Sequence, residues 1–209
     1  MTNYKETYFR IILLKDDIDI YHKNLTTETD WNKKLRLFKN CFVSLDVLRD
    51  SFRHFNLLLL GEKELKAKAK NLKNRLEFIN HLRNKIGGHL DEKVISKAVQ
   101  WEPFIFNEGI KDNEEAMKFL IYKSLLESSI NSYLNSNSKQ KVFDTEIDLV
   151  YPPDQNLFFN YVGELNCDAI DFLTDLERIL KQKIEFWDNK SLMNMAIKAG
   201  ETDFNLKKK

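Results

Sequence analysis

Apolar residues recur every three or four positions through most of the chain, the spacing that places them on one face of an α-helix. The clearest stretch runs from about Asp30 to Leu60, and Gly61 follows its last apolar residue, where a helix C-cap is expected. Its apolar positions are Trp31, Leu35, Phe38, Phe42, Leu45, Phe52 and Leu59, widened by Cys41, Leu48 and Phe55. The pattern predicts a long amphipathic helix with a buried, aromatic-rich face.

The same spacing predicts further helices on both sides of this one. Long helices are expected over about 3–24, 64–86, 113–135 and 156–187, and shorter ones over 91–100 and 191–199. Pro103 interrupts the pattern after the first short helix, and Val142–Tyr151 shows only the partial alternation of a short extended segment packed over the helices.

Four or five long amphipathic helices with short connections and no internal repeat predict an all-α fold, an up-and-down helical bundle. We expect one bundle domain over residues 1–187, followed by a short helix and a charged C-terminal tail over 188–209.

Composition agrees with this fold. Six Gly and three Pro in 209 residues leave little material for the turns of a sheet protein. A net charge of +1 gives no global attraction for nucleic acid, so any such contact needs a local basic patch. The tail Lys207–Lys209 is one small patch, but three terminal lysines are more typical of a solvated end.

Several kinds of chemistry have no motif in the sequence. It contains no Gly-rich phosphate loop, no Cys-x-x-Cys or His-Glu-x-x-His zinc pattern, no Glu-x-x-His di-iron motif and no serine nucleophile elbow. We therefore expect neither a cofactor nor a metal. The start of the chain lacks a secretory pattern, and its longest apolar runs are too short to cross a bilayer, so we expect a cytoplasmic protein without membrane contact.

One group of residues suggests chemistry. Arg83 falls within the apolar face of the third predicted helix, where a permanent charge is costly unless an anion meets it. That face is formed by Leu72, Leu76, Ile79 and Ile86. Asn84 lies beside Arg83 toward the polar side, and Gly87 and Gly88 end the helix, so that His89 is free to return toward Arg83. An arginine and a histidine so placed can hold a phosphate and move a proton at neutral pH.

Two other pairs have similar spacing, Arg49 with His54 and Arg75 with His81. In both pairs the histidine lies within the same predicted helix as its arginine, on an azimuth about 120–140° away at about 100° per residue. We expect these pairs to diverge, which leaves His89 as the histidine that can approach its arginine.

The segment Arg83–His89 resembles the signature of the HEPN superfamily, in which an arginine is followed by a polar residue and, after four to six positions, by a histidine. The resemblance implies a small α-helical bundle with the motif near the end of a long helix. It also implies a homodimer in which two motifs form one cleft. Many members are metal-independent endoribonucleases of toxin–antitoxin, abortive-infection and related phage-defence systems.

The resemblance implies a function for each matching residue. The 2′-hydroxyl of a single-stranded RNA would attack the adjacent phosphate and leave a 2′,3′-cyclic phosphate. Arg83 would neutralise the developing charge, His89 would transfer a proton, and Asn84 would orient Arg83 or the phosphate. Arg49 and Arg75 would help to bind backbone phosphates if their helices line the same cleft.

The alternative is a non-catalytic helical interaction module of a defence or regulatory system, such as the binding partner of an enzyme encoded elsewhere. The partners that we expect besides RNA are a second copy of the chain and an antitoxin or other protein encoded elsewhere. In that interpretation Arg83 extends its stem over the apolar face and pairs with an acidic neighbour. Gly87 and Gly88 are then an ordinary helix stop, and His89 is an exposed loop residue.

Overall fold

The computed structural model describes residues 4–87, 90–188 and 191–205. In these ranges the chain forms helices and no β-strand beyond one isolated bridge between Leu134 and Gln140, so the all-α prediction is confirmed. The α-helices are α1 Tyr4–Thr27, α2 Trp31–Phe55, α3 Lys63–Leu82, α4 Glu92–Trp101, α5 Glu114–Asn131, α6 Pro152–Lys183 and α7 Leu192–Gly200.

The structure shows why α2 begins and ends where it does. Asp30 caps its N-terminus, because one carboxylate oxygen accepts hydrogen bonds from the backbone N–H groups of Asn32 and Lys33. The predicted end at Leu60 is wrong, since α2 stops at Phe55 and the chain continues in turns. Leu58 and Leu59 stay buried in those turns, which explains why the apolar spacing continued beyond the helix.

Helix α2 lies at the centre of the packing. It contacts α1, α3 and α5, while α6 packs against α1 and α3. Aromatic rings also join α2 to α6, since Phe38 lies 5.4 Å from Phe158 and Phe52 lies 5.4 Å from Phe172 between ring centroids. Burying a side chain of this kind stabilises a fold by about 1.5–3 kcal/mol. The core therefore fixes α2 and α3 against each other, and these two helices carry the candidate site.

A buried ionic group holds the connections around α5. The Glu127 carboxylate accepts hydrogen bonds from the Trp101 indole at 2.7 Å and from the Leu149 backbone N–H at 2.7 Å. Lys123 donates to Glu102 at 2.6 Å and lies 3.4 Å from Glu127. Burial raises the pKa of Glu127, and the Leu149 N–H, the Lys123 ammonium and the Trp101 indole oppose that rise.

The segment Val142–Tyr151 packs over the helices as predicted, but it consists of turns and irregular backbone rather than an extended strand. The Asn131 side chain replaces strand pairing here, because its amide donates to the Ile147 carbonyl at 3.0 Å and its oxygen accepts from the Ile147 N–H at 2.8 Å. Ile147 and Leu149 are buried.

The end of the chain adds one short helix. No α7 side chain is buried, and Lys207–Lys209 lie outside the described residues. Among the described helices, none has both the length and the apolar content that crossing a bilayer requires.

A candidate anion site around Arg83

The last turn of the third helix changes its hydrogen-bonding pattern at Arg83. The α-helix ends at Leu82, and Arg83–Gly87 form a single π-helical turn, a feature that sequence spacing did not predict. Leu82 and Ile86 remain buried on either side, whereas the Arg83 side chain keeps 37% of its surface exposed. Such turns occur often at functional sites because they alter the direction of one side chain within a helix.

Two polar groups orient the Arg83 guanidinium. Its Nη1 donates to Asn84 Oδ1 at 2.9 Å, and Asn84 Nδ2 in turn donates to Asn80 Oδ1 at 3.0 Å. Its Nε lies 3.6 Å from Asp46 Oδ2. Among the described residues Nη2 has no hydrogen-bond partner, and the side chain as a whole is 37% exposed.

Asp46 joins Arg83 to a second arginine. Its carboxylate is 8% exposed, and its Oδ1 accepts a hydrogen bond from Arg49 Nε at 2.8 Å. Asp50 lies 2.9 Å and Glu77 3.8 Å from the other nitrogens of Arg49. Partial burial lowers the pKa of Arg49, but the hydrogen bond to Asp46 and the three carboxylates raise it overall. Arg49 therefore shares a buried anion with Arg83.

From the sequence, Arg49 was expected near the site only if its helix lined the same cleft, and Asp46 was not predicted at all. A signal was present, because an acidic residue stands directly after Leu45 on the apolar face of α2, with an arginine three positions later. Side chains three apart are neighbours on a helix, so this spacing favours an ion pair at the edge of the core.

Lys85 and Asp91, which stand on either side of the segment after the π-helical turn, are held together. The Asp91 N–H donates to the Lys85 carbonyl at 3.3 Å, and the Lys85 ammonium lies 2.6 Å from Asp91 Oδ2. Asp91 also caps α4, and its pKa is lowered chiefly by the hydrogen bond from Lys85. Gly88 and the predicted catalytic His89 lie outside the described residues.

Gly87 lies against the stem of Arg83. A Cβ atom built on Gly87 would stand 3.3 Å from Arg83 Cγ and 3.6 Å from a methyl carbon of Val43. A larger residue at position 87 would therefore crowd the Arg83 side chain and force it to shift, so Gly87 contributes to the position of Arg83 as well as to the end of the helix.

The other arginine–histidine pair on α3 diverges. Arg75 forms an ion pair with Asp168 on α6 and lies 5.0 Å from the Tyr161 ring. His81 points toward α5 instead, with Nε2 at 3.0 Å from both the Ser129 carbonyl oxygen and the Ser132 hydroxyl. The structure thus brings Arg49, but not Arg75, into contact with the Arg83 site.

The first pair also separates. Arg49 faces the carboxylates of Asp46 and Glu77, whereas His54 Nε2 accepts a hydrogen bond from the neighbouring Arg53 at 3.1 Å. Within the described ranges, no three His, Cys, Asp or Glu side chains converge as metal ligands.

No protein-family model, curated protein or solved structure matches this chain. The arrangement can bind an anion, since it presents a part-exposed guanidinium that is oriented by an amide and by a buried carboxylate.

Proposed function

We propose that this chain is a HEPN-like, metal-independent endoribonuclease of a toxin or phage-defence type that cleaves single-stranded RNA in the cytoplasm. The observation that carries the proposal is the part-exposed Arg83 guanidinium, held by Asn84 and Asp46 at the end of α3, with His89 six residues further along the chain. Five helices of 18 to 32 residues support an up-and-down bundle of the HEPN type.

The reaction is a transesterification within the RNA. The 2′-oxygen bonds to the adjacent phosphorus as the bond to the 5′-oxygen breaks, giving a 2′,3′-cyclic phosphate and a 5′-hydroxyl. One proton leaves the 2′-hydroxyl and one reaches the 5′-oxygen. His89 carries out one of these transfers, and solvent water carries out the other. Arg83 donates hydrogen bonds to the equatorial phosphate oxygens, where negative charge grows in the transition state. Asn84 holds the guanidinium in the orientation that this requires.

A homodimer would place two such sites in one cleft, as the HEPN resemblance implies. An antitoxin or another partner protein encoded elsewhere would then control the activity by covering that cleft.

The test uses the purified chain and a labelled single-stranded RNA in the presence of EDTA. We expect cleavage by the unaltered protein, with 2′,3′-cyclic phosphate ends detected by mass spectrometry. Arg83→Ala should lower the rate constant about 10²–10³-fold, the usual effect of removing one transition-state donor. His89→Ala should lower it by about 10²-fold or more.

Arg75→Ala is the matched control, because Arg75 is also a part-buried arginine of α3 but faces α6. It should keep its activity when circular dichroism shows a folded protein. Cleavage that survives in both Arg83→Ala and His89→Ala, or that Arg75→Ala abolishes equally in a folded state, would contradict the proposal.

A second candidate is a non-catalytic helical interaction module. It is favoured by the charge balance, since Asp46, Asp50 and Glu77 already neutralise the guanidiniums of Arg49 and Arg83. In this case Arg83→Ala changes stability only, and neither the unaltered protein nor any variant cleaves RNA.

A further inference from the structure

A polar pocket of about 480 Å³ opens between the C-terminal part of α2 and the exposed side of α3. It is lined by Arg49, Asp50, Phe52, Arg53, Asn56 and Lys73. We refer to these six residues as the Arg53 pocket. Arg49 connects it to the candidate site, because its Nε is bonded to one oxygen of Asp46 and the other oxygen of Asp46 faces Arg83.

The Arg53 pocket has an excess of positive charge. Three of its side chains are cations, but Arg49 already faces the carboxylates of Asp46, Asp50 and Glu77, so the excess comes from Arg53 and Lys73. Arg53 Nε donates to a ring nitrogen of His54 rather than to a carboxylate, and in the described part of the chain Lys73 forms no ion pair. Cations held around one concavity repel each other, and an anion bound between them relieves that repulsion.

His54, the hydrogen-bond partner of Arg53, is not an anion. Its pKa is lowered by burial first and then by the charges of Arg10 and Arg53, while Glu6 opposes the shift. A neutral ring can accept the hydrogen bond from Arg53 and so hold that guanidinium in place.

We propose that the Arg53 pocket binds a second backbone phosphate of the single-stranded RNA whose reacting phosphate lies at Arg83. This inference rests on the proposed function for the identity of the ligand. A single strand suits the site because its flexible backbone can enter a concavity between two helices, and basic grooves commonly track such strands. Asn56 supplies an amide that can donate to a phosphate oxygen.

The test measures binding without cleavage, using a fluorescent 2′-O-methyl oligoribonucleotide that lacks an attacking hydroxyl. Anisotropy titrations at several salt concentrations give the slope of log K against log salt, which is about 0.7 for each single-strand phosphate that is contacted. The double variant Arg53→Gln/Lys73→Gln removes the contact to one phosphate and should lower the magnitude of that slope by about 0.7. Between about 50 and 200 mM salt its affinity should then fall about 2.6-fold less than that of the unaltered protein.

The matched control is Lys97→Gln/Lys139→Gln, which removes the same charge from two exposed lysines outside the pocket and should leave the slope unchanged. An unaltered protein that fails to bind, equal slopes for the two double variants, or equally effective competition by polyglutamate would overturn the inference. If cleavage depends on Arg83 but the slope does not depend on Arg53 and Lys73, the function stands and the inference fails. If binding depends on Arg53 and Lys73 but no RNA is cleaved, the pocket stands and the catalytic proposal fails.

Discussion

Replacing Asp46 by Asn removes the buried charge that joins the two arginines while keeping the shape of the side chain. We expect this change to destabilise the fold and at the same time to raise the affinity for a polyanion. The first effect follows because the Asp46 side chain, 8% exposed, faces Arg49 at 2.8 Å and Arg83 at 3.6 Å. The second follows because two guanidiniums then lose one of their three carboxylate partners.

The two ion pairs should contribute unequally. A charge-assisted hydrogen bond contributes about 1.5–3 kcal/mol, and the Arg49 contact has the geometry of one. We reduce that figure to about 1.5 kcal/mol because the Arg49 side chain is 24% exposed and solvent weakens the pair. The Arg83 contact is longer and that side chain is 37% exposed, so about 0.5 kcal/mol is appropriate.

Together the pairs give a loss of about 2 kcal/mol in the free energy of unfolding, or about 4–8 °C in Tm for a chain of this size. Urea denaturation of Asp46→Asn, Arg49→Gln, Arg83→Gln and the two double variants yields the coupling energies directly. We expect the Asp46–Arg49 coupling to exceed the Asp46–Arg83 coupling. A stability of Asp46→Asn within about 0.5 kcal/mol of the unaltered protein, the range of ordinary surface changes, would refute the reasoning.

Two further predictions concern side chains away from the site. Burial raises the pKa of the Cys41 thiol to about 12, whereas Cys167 is exposed. Iodoacetamide should therefore alkylate Cys167 alone in the native protein and both thiols in urea. Rapid labelling of Cys41 in the native protein would contradict its buried position. Burial lowers the pKa of His81, so the unfolded chain binds a proton more readily than the native one. The contribution of His81 to the free energy of unfolding should therefore be complete above about pH 6.5 and should decrease as the pH falls below that value. His81→Gln should lose less stability between about pH 7.5 and pH 5 in urea titrations, and an identical loss in both proteins would exclude this role.

The helices were predictable from the sequence because amphipathic spacing reports burial directly. The predicted ranges 64–86 and 156–187 overlap α3 and α6 closely, with errors mainly at the ends. Those errors have a common physical cause, since apolar residues can stay buried after the backbone has left the helix. Leu58 and Leu59 illustrate this beyond α2.

The connections around α5 could not be predicted, because side-chain hydrogen bonds determine them. Glu127 is fully buried, whereas a glutamate within a helical stretch of the sequence predicts an exposed side chain. Its partners Trp101 and Leu149 are distant in sequence, and only the packed structure shows that one carboxylate fastens both segments to α5.

The candidate site was predictable in part. Arg83 and Asn84 stand out because a guanidinium on an apolar face needs a partner, and the structure supplies one in Asn84 Oδ1. The π-helical turn has no marker in the spacing, and the partnership with Asp46 depends on how α2 and α3 pack. His89 lies outside the described residues, so its catalytic role stays a prediction.

Two residues of this site have different roles, one in stabilising the fold and one in the proposed binding of an anion. Asp46 is nearly inaccessible and satisfies two cations, so its removal affects stability first. Arg83 is more than a third exposed, so its removal should cost the fold less while eliminating the group that we propose to bind a phosphate. In the proposed phosphate site, Asp46 would be the buried anchor and Arg83 the partly exposed donor. The stability measurements on Asp46 and the cleavage measurements on Arg83 therefore test two halves of the same arrangement.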